Sequence, residues 1–148
     1  MPAITLAERV VARMYDNDPF SIWLGIERVE VKPGASTLRM MVREEMLNGF
    51  AIAHGGITYS LADSALAFAS NSHGIQAVSV ETSISHTRPV KAGDILTAHA
   101  TEIEVSTRFG RYDVRVTDAN GKLVALFHGT VYRTGKPWFP DEPLPSTP

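Results

Sequence analysis

The stretch Gly55-Gly56-Ile57-Thr58-Tyr59-Ser60-Leu61-Ala62-Asp63-Ser64-Ala65-Leu66-Ala67-Phe68-Ala69-Ser70 is apolar or small at almost every position. Ile57, Leu61, Ala65, Phe68 and Ala69 keep a 3.6-residue rhythm, and the opposite side carries Ser, Ala and Thr in place of Lys and Glu. This pattern predicts a long helix from Gly55 to about Ser72, covered on most sides, with Gly74 in the usual place after a helix end. Asp63 is the only charged residue in the run. A carboxylate is costly to bury unless it is bound or reactive, so Asp63 is the first candidate for chemistry.

The flanks supply what such a helix needs. Thr5 to Tyr15 places Leu6, Val10 and Met14, with Ala7 and Val11, at helical spacing, and Thr5 with Glu8 forms a capping-box pair. Asp16-Asn17-Asp18-Pro19 predicts the end of that helix. Ile22 to Val31 reads as a strand, Lys32-Pro33-Gly34 as a turn, and Ser36 to Val42 as the returning strand, with Leu38, Met40 and Val42 alternating against Arg39 and Arg43. Glu44 to His54, containing Asn48-Gly49, reads as a loop. Four more strands are predicted over 76–88, 94–105, 109–117 and 122–132. The last two are joined by Asp118-Ala119-Asn120-Gly121, a strong hairpin signal. Val78, Val80 and Ile84 share one parity in the first of these, and His86 shares it too, which turns His86 toward the helix. The expected fold class is α+β: a largely antiparallel sheet curved round one central helix, with a short N-terminal helix. Residues 1–134 form a single domain, and 135–148, with five prolines, an irregular tail.

Composition narrows the function. A chain of 148 residues that is 44% hydrophobic and 20% charged is one soluble globular domain. A net charge of -2 gives no electrostatic basis for binding nucleic acid or a membrane surface. The absence of cysteine excludes disulfides, thiolate metal sites and cysteine nucleophiles, and fits the reducing cytoplasm. Met1-Pro2-Ala3-Ile4-Thr5 has no basic region followed by an apolar one, so no secretory signal is expected, and no apolar run is long enough to span a bilayer. There is no internal repeat.

A helix N-terminus offers unpaired N–H groups and a positive dipole end. Gly55 and Gly56 let a ligand carbonyl approach that backbone, which makes the Gly55 N–H a natural oxyanion donor for ester or thioester hydrolysis. Asp63 lies eight residues further on, roughly 12 Å along the axis at the standard rise, too far to act on the same carbonyl. If both serve one substrate they come from different chains, on two antiparallel helices related by a two-fold axis. Plainer readings stand beside this. Asp63 can cap a neighbouring loop, His54 reads better as a structural hydrogen-bonding residue than as a base, Asn48-Gly49 is an ordinary turn signal, and Gly55-Gly56 can be only a tight loop. His54, His73, His86, His99 and His128 show no metal-ligand spacing with nearby acids, so no metal site is expected. No Gly-x-Ser-x-Gly elbow and no Gly-x-Gly-x-x-Gly loop is present. Arg88, Lys91, Arg108 and Arg111 fall near strand ends, where they can meet phosphates or simply be solvated.

Leu47-Asn48-Gly49, His54-Gly55-Gly56, Ser60-Leu61-Ala62-Asp63, Asn71-Ser72-x-Gly74, Arg88-Pro89-x-x-Ala92-Gly93-Asp94 and Val124-Ala125-Leu126-Phe127-x-Gly129 together resemble the hotdog-fold acyl-CoA thioesterases of the phenylacetate-degradation (PaaI) group. The likeness runs from Met14 to Arg133. It implies the hotdog fold, a homodimer with a continuous sheet doubled into a tetramer, and hydrolysis of aryl- or hydroxyaryl-acetyl-CoA in phenylacetate breakdown. It implies Asp63 as the catalytic carboxylate, nucleophile or base on water, and Gly55 as the donor to the thioester carbonyl. Asn48 falls near the thioester or attacking water, and His54 shapes the loop. Arg88, Pro89, Lys91 and Arg108 are the residues assigned to the CoA moiety, and no cofactor is implied beyond the CoA of the substrate. Family members often carry an aromatic residue where this chain has His86. The acyl pocket is expected from Tyr59, Leu66 and Phe68 with Met46, Leu47 and Phe50 of a second chain. Two rival functions are a hotdog enoyl hydratase or dehydratase using a His54/Asp63 pair, and a non-catalytic acyl-CoA-binding protein.

Overall fold

A computed structural model of the chain describes residues 2–144. Helix α1 (Leu6–Asp16) begins where its capping box predicts: Thr5 Oγ1 accepts from Glu8 N at 3.1 Å, and Glu8 Oε2 accepts from Thr5 N at 2.8 Å. The next segment corrects the expectation. Asp18-Pro19 opens a second helix, α2 (Pro19–Leu24), so Ile22 to Leu24 are helical and not strand. Asp18 caps it by accepting from Ser21 N at 3.0 Å and Ser21 Oγ at 2.6 Å. Pro19 occupies the first turn, where its missing N–H costs nothing, and Gly25 closes the helix at φ 74°. Strand β1 (Glu27–Lys32) then pairs with β2 (Ala35–Met41) in the expected hairpin. The loop expected over 44–54 contains a 3-10 turn at Glu44–Met46 and a single bridge between Leu47 and Ala53.

The central helix α3 runs Gly55–Asn71, followed by β3 (Ile75–His86), β4 (Ile95–Val105), β5 (Phe109–Thr117) and β6 (Leu123–Pro137). The six strands form one antiparallel sheet in the order β1-β2-β4-β5-β6-β3, which leaves β1 and β3 as edges. The inward faces follow strand alternation: Leu38 and Met40, then Leu96, Ala98 and Ala100, then Tyr112, Val114 and Val116 are all buried. Helix α3 lies against this face, where the alanines of β4 and Gly129 of β6 give it room. A Cβ on Gly129 would stand 2.5 Å from Leu66 Cδ2. The result is the hotdog arrangement of a curved sheet wrapped round one apolar helix.

Two further expectations change. Pairing of β3 with β6 slips between Ser79 and Glu81, which face Val131 and Thr130. The bulge resets parity. Val78 and Val80 are exposed at 56% and 57%, while Tyr59 Oη meets Thr82 Oγ1 at 2.5 Å on the helix side. The C-terminal segment is also more structured than its prolines suggest. Strand β6 continues to Pro137, past the boundary expected at 134. Trp138 Nε1 donates to Asn71 Oδ1 at 2.9 Å, and Arg9 pairs with Glu142 at 2.6 Å while lying 4.3 Å from the Phe139 ring centroid. The rest of the expected tail, 145–148, lies outside the described residues. Among the described residues no helix is long and apolar enough to cross a membrane.

Candidate active site

The loop before α3 is built to expose the helix start. Asn48 N donates to Ile52 O at 2.8 Å, Asn48 Oδ1 accepts from Phe50 N at 2.9 Å, and Ala51 takes a φ of 60° between them. His54 is the N-cap of α3, and its Nδ1 accepts from Gly56 N at 2.9 Å. That bond occupies Nδ1 as an acceptor, which fits the structural reading of His54. Ile57 N donates to His54 O at 2.9 Å. The Gly55 N–H, just before these two satisfied donors, has no acceptor among the described residues.

Gly55 borders a cleft of about 410 Å³ whose polar lining comes from Asn48, Thr58, His86, Thr87 and Arg88, with Pro89 beside them. The structure therefore brings together four residues singled out from the sequence: Asn48, Gly55, Arg88 and Pro89. It leaves others outside. His54 sits behind the helix start as a cap. Lys91 does not line the cleft, and its N–H is held by Asp94 Oδ2 at 2.8 Å. Arg108 belongs to the turn between β4 and β5, where its carbonyl accepts from Arg133 N at 2.7 Å.

Asp63 lies two turns along α3, half-buried, in a different cavity of about 270 Å³ lined by Met14, Leu66, Ala67, Ser70, Asn71 and Ala77 among others. No described residue donates a hydrogen bond to its carboxylate, so it does not cap a neighbouring loop. Burial, and to a lesser degree the charge of Asp18, raise its pKa above the ordinary aspartate value. Gly56, Ser60, Asp63 and Ala67 fall at helical spacing, and none of them is buried, so this face of α3 stays partly open. In one chain, Gly55 and Asp63 are on the same helix but serve separate cavities.

Sequence reasoning left His86 without a role. It lines the Gly55 cleft, and Thr58 Oγ1 links it to the helix start, 3.2 Å from His86 Nδ1 and 3.1 Å from Gly55 O. The expected acyl-pocket set is divided. Leu66 borders the Asp63 cavity, whereas Phe68 is fully buried in an edge-on contact with Tyr15 at 6.4 Å and Met46 is buried in its own chain. Phe50 is 86% exposed.

A hotdog fold with a free amide over a cleft, and a half-buried carboxylate on the same helix, offers two of the groups that ester chemistry uses. Comparison with known proteins agrees. The profile of the thioesterase superfamily matches residues 50–125. A putative esterase of Archaeoglobus fulgidus is 39% identical over 135 residues, covering 91% of this chain and 88% of that protein. The acyl-coenzyme A thioesterase PaaI of Escherichia coli K12 is 41% identical over 122 residues, covering 82% and 87%. The solved structure of the E. coli PaaI protein matches with a TM-score of 0.88 at 38% identity, covering 91% of this chain and 99% of that one. A Streptococcus mutans UA159 protein solved bound to acetyl CoA matches with a TM-score of 0.74 at 28% identity, covering 76% and 90%. The chain belongs to the thioesterase superfamily, as a hotdog thioester hydrolase of the PaaI group.

Proposed function

We propose that this protein hydrolyses acyl-CoA thioesters of the aryl- or hydroxyaryl-acetyl class to the free acid and CoA, at sites shared between two chains of a homodimer. The Gly55 N–H carries the reading: a free donor at the positive end of α3, facing a cleft, is placed to accept a carbonyl oxygen as it gains charge. Asn48, its side-chain oxygen already held by Phe50 N, keeps its amide N–H groups for the thioester or the attacking water. Asp63 of the second chain attacks the carbonyl carbon or removes a proton from water. The carbon–sulfur bond then breaks and CoA leaves. Arg88 is the basic residue the cleft offers to the CoA phosphates, with Pro89 beside it. Lys91 and Arg108 do not line this chain's cleft, and their assignment to the CoA moiety rests on the family resemblance alone.

The half-open face of α3 and the exposed edge strand β3, with Val78 and Val80 outward, support pairing through these elements. Such dimers double into a tetramer. The likeness to PaaI, a protein from the phenylacetic acid degradation operon of E. coli, supports the aryl-acetyl class and a place in phenylacetate breakdown, and the absence of cysteine fits a cytoplasmic location. A hydratase needs a His/acid pair at the acyl β-carbon, and the capping bond of His54 argues against that use of it.

Thiol release measured over short-chain, long-chain and aryl-acetyl CoA esters tests the substrate class. The aryl-acetyl esters should give the highest kcat/KM, and faster release from long-chain esters would contradict the class. Hydration of an enoyl-CoA without thiol release would establish the hydratase instead. Tight acyl-CoA binding in calorimetry without thiol release would establish a non-catalytic binder.

A further inference from the structure

Besides Arg88, the cleft contains one titratable side chain, His86. Its ring is fixed from below. Thr58 Oγ1 lies 3.1 Å from the Gly55 carbonyl, which can only accept, so the hydroxyl donates there and its single proton is used. At 3.2 Å the same oxygen then accepts from His86 Nδ1. That assigns the ring proton to Nδ1 and leaves the lone pair on Nε2. Nε2 faces the first turn of α3: a Cβ on Gly55 would lie 3.2 Å from it. A lone pair and a free N–H therefore border one cleft. Hydrolysis at a carbonyl needs those two groups, a donor for the oxygen and a base for water, with the base oriented by a third group.

We propose that His86 is the general base for the water step of this enzyme, positioned by Thr58, and that Asp63 of the second chain is the nucleophile; this rests on the thioesterase reading above. First, an Asp63 carboxylate oxygen bonds to the thioester carbon, the carbon–sulfur bond breaks, and CoA leaves as the thiolate with the acyl group held as a mixed anhydride. Then water, hydrogen-bonded to His86 Nε2, attacks the acyl carbon while its oxygen sits at the Gly55 N–H. Nε2 takes the water proton, the bond to Asp63 breaks, and the carboxylate is restored. The imidazolium returns its proton to the thiolate or to solvent, leaving the acid, CoA and a neutral ring.

Rapid-mixing thiol release by His86→Ala and His86→Asn, on the ester that the wild type hydrolyses fastest, tests this. The asparagine keeps a donor for Thr58 Oγ1 but has no group at the Nε2 position. Both variants should release about one equivalent of thiol per chain in a burst, then turn over about 10²- to 10⁴-fold more slowly than the wild type. Added imidazole should raise the steady rate of His86→Ala about tenfold or more. Turnover of His86→Asn within about threefold of the wild type would make the ring a mere prop for Thr58 and overturn the proposal. Slow release without a burst, or no response to imidazole, would overturn it as well. A wild type that releases no thiol from any ester would instead remove the thioesterase reading itself.

Discussion

The proposed role of Asp63 and its burial each carry a testable consequence. Asp63→Asn should lower kcat by about 10²- to 10⁴-fold while acyl-CoA binding survives, as measured by thiol release and calorimetry. Full turnover in the variant would contradict the role. The pKa of Asp63 is raised, chiefly by burial, so the folded chain holds this proton more tightly than the unfolded chain does. Its contribution to stability is fully present below the unfolded pKa and is lost as pH rises through the higher folded value. At neutral pH the carboxylate is a net cost. The Tm of Asp63→Asn should therefore exceed that of the wild type at pH 7, with the gap closing toward acid; a lower Tm at pH 7 would contradict this. Gly55 can be tested by a matched pair. Gly55→Ala and Gly55→Pro both place a Cβ 3.2 Å from His86 Nε2, but only proline removes the N–H. Proline is compatible with the first helical position, and His54 at ψ 138° suits the residue before it. Proline should lower kcat about 10²- to 10³-fold beyond the effect of alanine. Equal activities would remove Gly55 as the oxyanion donor.

At the scale of elements, Asn71 ties three of them together. Its Nδ2 donates to Ala67 O at 2.9 Å and Ala77 O at 3.1 Å, and its Oδ1 accepts from Ala77 N and Trp138 Nε1, both at 2.9 Å. Asn71→Ala strands buried partners on β3 and on the C-terminal segment, and should cost about 2–4 kcal/mol in denaturant unfolding. A loss below about 0.5 kcal/mol would show that water replaces these bonds. The core of the fold is legible because each element carries its own signal: α3 an apolar run whose one charge is Asp63, α1 Thr5 and Glu8, β2 Leu38 and Met40. What was misread lay where one signal had two meanings. Asp18-Pro19 ends one helix and caps the next, and the β-rich composition of 22–31 hid the Gly25 that separates α2 from β1. The bulge after Ser79 is a property of pairing with β6, which a single strand does not display. His86 was placed on the helix side by a parity that holds from Thr82 onward but not back to Val78. The prolines after Gly135 suggested irregularity, while the binding of Trp138 to Asn71 depends on residues far away in the sequence.

For the whole molecule, the decisive observation is that one chain separates the two groups that the proposed reaction uses. The spacing of Gly55 and Asp63 was readable from the sequence as an axial distance. The structure adds that the two border different cavities. Asn48, Arg88 and Pro89 beside Gly55 are legible in the sequence, but the place of His86 at the same cleft is not, because it depends on where β3 ends relative to α3. Sedimentation should find dimers or their doubling, and a monomer that retains activity would contradict the shared site. The most direct test is complementation. Gly55→Pro and Asp63→Asn are each expected to be inactive, and coexpression lets their chains pair. A mixed dimer has one site with both groups intact and one with neither, so random pairing should restore about a quarter of wild-type thiol release. If each site were built within one chain, every site would carry a lesion, and the coexpressed mixture would stay at the level of the single variants.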